Sequence, residues 1–192
     1  MLTMKRHAGY APAGTALHLA PQAGRSFSRL VRVLGLVVLG VGDVVSGQTV
    51  WTGTTGSWLT AGNWDNGVPS AGTNATINNG GTVTLAGTGV VNLLTVGTSA
   101  TGGTLTISSG MLTSSDAVIA KGKLSTGAIS VTGGSWVINN SLQIATTEVD
   151  PIAGSGQLTI SGSGLVSVPV VDLGTGVLGG SSSLSDLGGY LA

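Results

Sequence analysis

From Gly81 onward, apolar and polar residues alternate in short bursts, and the bursts recur along the chain. Four of them open alike: Gly81-Thr82-Val83-Thr84-Leu85, Gly103-Thr104-Leu105-Thr106-Ile107, Gly127-Ala128-Ile129-Ser130-Val131 and Gly156-Gln157-Leu158-Thr159-Ile160. In each copy a small-residue turn leads to a second apolar run, containing Leu93 to Val96, Ala117 to Ile119, Leu142 to Ile144 and Val170 to Leu173. Period-two alternation predicts strands, because successive side chains of a strand point to opposite faces. A repeat in the twenties predicts that those strands stack as a β-solenoid. The expected fold class is all-β, a single-stranded parallel β-helix of about four coils. Two columns, Val83/Leu105/Ile129/Leu158 and Leu85/Ile107/Val131/Ile160, should point inward. Between them Thr84/Thr106/Ser130/Thr159 should form an outward hydroxyl ladder.

The rest of the chain divides around these repeats. Residues 1–47 read as a signal peptide with an extended n-region, 48–79 as a tryptophan-containing N-terminal cap, 80–176 as the solenoid and 177–192 as a Gly/Ser-rich tail. In the first part Arg25, Arg29 and Arg32 precede the mostly apolar stretch from Val33 to Gly42. Val45-Ser46-Gly47 then offers small residues for cleavage before Gln48, which completes the order of a secretory signal. The signal-peptide helix is too short to span a bilayer core of about 30 Å comfortably. A buried helix or an uncleaved signal anchor is the alternative, and the long n-region suggests a start codon later than Met1. The tail has no evident capping or coil pattern.

Composition supports the strands and narrows the chemistry. Gly accounts for 34 residues and only 7% are charged, while mean hydropathy is +0.45, too apolar for ordinary disorder. The net charge of zero conceals an asymmetry: after Arg32 only Lys121 and Lys123 remain, against Asp65, Asp116, Glu148, Asp150, Asp172 and Asp186, with Asp43 in the signal segment. No basic stripe is left to neutralise phosphates, so nucleic acid is not an expected partner. Cysteine is absent, and His7 and His18 both precede the cleavage site. The mature chain therefore has no residues for a Ser-His-Asp or Cys-His site, nor for His- or Cys-based zinc binding. No catalytic, cofactor-binding or metal residues are assigned.

Among the remaining candidates, Trp51, Trp58 and Trp64 should pack as a hydrophobic plug over the first coil. Their alternative role, together with Trp136, is to stack on sugar rings. Asp65 reads as a turn-forming acid bonded to nearby backbone. Glu148 and Asp150 sit in the insertion before Pro151, a solvated turn or, alternatively, a calcium site with backbone carbonyls. Aligning the copies sets Asp116 level with Ser141 and Asp172 level with Gln143 and Val118, so these two acids do not converge as a catalytic pair would. A hydroxyl ladder also suggests ice binding, but the adjacent column Thr82/Thr104/Ala128/Gln157 breaks the regularity.

The segment Trp51-Thr52-Gly53, Gly56-Ser57-Trp58, Asn63-Trp64 and Gly67-Val68-Pro69, followed by Gly80-Gly81-Thr82-Val83-Thr84-Leu85, resembles the start of bacterial autotransporter-like and PEP-CTERM-type surface proteins. The run Gly102-Gly103-Thr104-Leu105-Thr106-Ile107-Ser108-Ser109-Gly110 is similar to their repeats. The resemblance covers about residues 50–176 and implies a right-handed parallel β-helix at the cell surface or in the extracellular matrix. Members of that group run longer and end in a barrel, a dockerin or a sorting tail, to which nothing after Gly176 is similar. The expectation is a truncated passenger or an N-terminal part. It would be an exported, non-enzymatic structural or adhesin-like module that contacts surface glycans or matrix and meets the membrane only during export. The alternative is a carbohydrate-binding or polysaccharide-cleaving β-helix.

Overall fold

The computed structural model describes residues 47–146, 154–174, 181–187 and 190–192. The signal segment, the Glu148–Asp150 loop and parts of the tail lie outside the described residues. The described chain is all-β, with one short 3-10 turn at Ala61–Asn63. Its strands are β1 (Gly47–Val50), β2 (Thr55–Ser57), β3 (Thr73–Ile77), β4 (Thr82–Val96), β5 (Thr104–Ile119), β6 (Thr126–Val131), β7 (Ser135–Ile144), β8 (Ser155–Ser161), β9 (Leu165–Ser167), β10 (Val170–Leu173), β11 (Ser181–Leu187) and β12 (Tyr190–Leu191). They form a mostly parallel sheet that does not close into a barrel.

The pairing follows three lines. On the first, β2, the start of β4, the start of β5, β6, β8 and β11 lie successively side by side, all parallel. On the second, the middle of β4 and β5, the start of β7, β9 and β12 do the same. On the third lie β1, β3, the ends of β4, β5 and β7, and β10. Both predicted inward columns are realised residue for residue: Val83 pairs with Leu105, Leu105 with Ile129 and Ile129 with Leu158, while Leu85, Ile107, Val131 and Ile160 follow suit. All eight side chains are buried. Removing each from water contributes about 1.5–3 kcal/mol, so this double column is a principal source of stability.

The other two lines bring their own inward columns. Ala75, Leu94, Ala117 and Leu142 stack on the third, beside Ile77, Val96, Ile119 and Ile144, and all are buried. On the second, Leu112, Trp136 and Val166 stack with no exposure. The chain leaves the third line through the same corner each time. The backbone N–H groups of Gly97, Ala120, Ala145 and Gly174 donate to Ile77, Val96, Ile119 and Ile144 respectively, at 2.8–2.9 Å. Gly97, Ala120 and Ala145 all have positive φ there (85°, 59° and 54°). A side chain in this conformation costs about 1 kcal/mol, which the two alanines bear. At Gly97 a Cβ would also collide with the Thr126 carbonyl oxygen, which leaves glycine as the residue that fits.

Two findings alter the expected organisation. The tail, read from sequence as patternless, carries strands that continue the parallel pairing: β11 lies on β8, with Leu184 level with Leu158, and β12 lies on β9. The cap's strands also join the pairing, since β1, β2 and β3 pair in register with one another or with β4.

Candidate functional site

The tryptophan segment folds onto the first tiers. An antiparallel bridge joins Trp51 to Trp64, and the backbone N–H of Thr52 donates to the Asn63 carbonyl at 2.8 Å. Trp64 sits between the other two rings, edge to face with Trp51 (centroids 5.1 Å apart) and with Trp58 (5.0 Å). Its indole N–H donates to the Trp58 carbonyl at 2.8 Å. Exposure of Trp51, Trp58 and Trp64 is 1%, 0% and 4%, so a sugar could stack on these rings only if the cap opened. Their packing is that of a hydrophobic plug. Trp136 is equally buried and donates its indole N–H to the Ser114 hydroxyl at 3.1 Å.

The acids also find structural partners. Asp65 accepts a hydrogen bond from the Val50 backbone N–H at 2.7 Å and one from the Thr49 hydroxyl at 3.3 Å. Sequence suggested a bond within its own turn; the carboxylate instead ties that turn to β1, fifteen residues earlier. Asp116 and Asp172 occupy different columns, level with Ser141 and Gln143 respectively, as the repeat alignment predicts. Among the described residues no group of three His, Cys, Asp or Glu side chains gathers to hold a metal. The hydroxyl ladder is in register and longer than predicted, since Ser57 pairs with Thr84. The neighbouring column is interrupted by Ala128 and Gln157.

The described surface has a second feature that the sequence did not indicate. On the outer side of the third line lies a depression of about 300 Å³, lined by Asn74, Asn92, Leu93, Asp116, Ser141 and Gln143, with Val118 and Ala117 beneath. Asp116 is fixed within it: Ser141 Oγ donates to Oδ1 at 2.8 Å, and Asn140 Nδ2 donates to Oδ2 at 3.1 Å. Asn140 reaches the carboxylate because the β5–β7 register shifts between Ser114 and Asp116, where Asn139 and Asn140 oppose the single residue Ser115. Such bulges bend a strand and re-aim its side chains. Asn92 Nδ2 donates to Asn74 Oδ1 at 3.0 Å, and Thr146 Oγ1 donates to Gln143 Oε1 at 3.3 Å. The result is a shallow basin with one carboxylate, three amides, a hydroxyl and an apolar floor, and no basic residue among the described residues of its lining. Such a surface recognises hydroxyl and amide groups by paired donors and acceptors.

No protein-family model, curated protein or solved structure matches this chain. What the fold and the basin define is therefore a class: an all-β protein on a mostly parallel sheet, with a polar basin on one outer face.

Proposed function

We propose that this chain is an exported, non-enzymatic β-solenoid, a right-handed parallel β-helix that serves as a structural or adhesin-like module at the cell surface or in the extracellular matrix. The observation that carries this reading is the three-line parallel pairing, in which each repeat sets its strands beside those of the repeat before it. Repeats stacked in this way present regular outer faces, suited to displaying contacts. The described acids support a non-enzymatic role, because Asp65 and Asp116 both use carboxylate oxygens in bonds that hold the fold. The stretch from Arg25 to Gly47 supports export.

The test is the fate of the full chain with a C-terminal epitope tag, expressed in a bacterial host. Extracellular protease should remove the tag from intact cells, and the cells should adhere to matrix-coated surfaces more than a vector control does. Full protection of the tag until lysis, or adhesion no higher than the control, would overturn the reading.

A further inference from the structure

We propose that the Asp116 basin is a binding subsite for neutral sugar units of a polysaccharide, an inference that rests on the adhesin-like reading given above. The basin is at the lower end of the size range of small-molecule sites, about 300–1,000 Å³, which suits one or two sugar rings. Its polar groups are held in place before any ligand arrives. Ser141 and Asn140 each occupy one acceptor position on the Asp116 carboxylate. An ionised carboxylate has about four such positions, so each oxygen retains acceptor capacity for a sugar hydroxyl. Gln143 uses its carbonyl oxygen toward Thr146 and lies two residues along the strand from Ser141, the register partner of Asp116. Two strand residues span about 6.6 Å, so a fixed acceptor and an amide donor are set one ring's breadth apart. A sugar hydroxyl can donate to the first or accept from the second.

The floor and the charge narrow the class. Leu93, half-buried, and Val118, 7% exposed, put apolar surface between the polar groups. The C–H faces of a pyranose can pack there while its hydroxyls bond at the rim. Among the described residues no lysine or arginine lines the basin. A uronate or sulfated sugar would place a second negative charge beside Asp116, with no cation to offset the repulsion or the desolvation. Neutral sugars are the ligand class that fits.

The test uses the purified full chain with neutral gluco-, xylo- and manno-oligosaccharides and with oligogalacturonate, read by saturation-transfer NMR and titration calorimetry. Asp116→Asn keeps an oxygen able to accept from Ser141 but removes the charge. Gln143→Ala removes the donor, and Thr106→Ala alters the hydroxyl ladder on another face. At least one neutral oligosaccharide should bind. Its affinity should fall about tenfold or more in Asp116→Asn and in Gln143→Ala, as expected for losing a hydrogen bond to a charged or well-placed polar group, and stay unchanged in Thr106→Ala. Far-UV circular dichroism establishes that each variant is folded. Absence of binding by every neutral oligosaccharide, binding that survives both basin substitutions, or preference for oligogalacturonate would each overturn the subsite. The two readings fail separately: surface-exposed, adherent cells without oligosaccharide binding sink the subsite alone. A chain retained inside the cell that still binds sugar sinks the adhesin reading.

Discussion

The most discriminating test of the packing is the buried pair Trp136–Ser114. Both side chains have no exposure, and the indole N–H donates to the hydroxyl at 3.1 Å. Ser114 occupies a tier level with Ile138, in a column otherwise apolar, so its hydroxyl has a reason to be there only through the indole. Ser114→Ala should cost about 1–3 kcal/mol, because it strands a buried indole N–H. Trp136→Phe should cost about 2–4 kcal/mol, combining a stranded hydroxyl with the void left by the smaller ring. In the double variant neither group is stranded, so the two costs should fall short of their sum by about 1–2 kcal/mol. Trp58→Phe is the control: its indole N–H finds no hydrogen-bond partner among the described residues, so that substitution loses packing but no bond. Urea unfolding of the full chain followed by circular dichroism reads these differences, each 1 kcal/mol moving the midpoint by roughly 0.3–1 M. Costs that add within about 0.3 kcal/mol would refute the argument and mean that the 3.1 Å contact contributes nothing.

Two further outcomes follow from local geometry. Gly127→Ala would drive a Cβ into the Val96 carbonyl oxygen and within 3.1 Å of the Ala120 backbone nitrogen, where no flexible side chain can yield; thermal melts should show a loss of about 1–3 kcal/mol or a failure to fold, whereas Gly62→Ala, with no neighbour within 4 Å, should change stability by less than about 1 kcal/mol. Asp65→Ala should destabilise by about 1–3 kcal/mol through the lost acceptor for Val50, and Asp65→Asn by less, since its amide oxygen can still accept; equal losses in the same melts would show that the charge rather than the bond matters.

How much of this was legible in the sequence depends on which face a residue occupies. The inward columns were readable because a period of two leaves no other assignment for Val83, Leu105, Ile129 and Leu158, and one-residue slips would bury threonines instead. The number of tiers was not. β2 is Thr55-Gly56-Ser57, with no large apolar residue to mark it as a strand, yet it lies on Thr82-Val83-Thr84. In the tail, Leu184 falls level with Leu158, but Asp186 falls level with Ile160. A charged residue at that register position hides the repeat from a search for apolar alternation, even though the backbone pairing continues through it.

The polar basin was illegible for a different reason. Repeat alignment did set Asp116 level with Ser141 and Gln143 level with Asp172, so the column positions were in hand. What the alignment could not supply was the offset between tiers. Asn140 reaches Asp116 only because β7 carries one residue more than β5 at that point, and Asn74 and Asn92 contribute from β3 and β4. Strand periodicity specifies which residues share a face, whereas a site on that face is made where periodicity lapses. A bulge that leaves every inward contact intact can gather polar groups outside it without any cost to the core. On this fold the irregular residues between matched columns, and not the repeats themselves, are where binding chemistry should be sought.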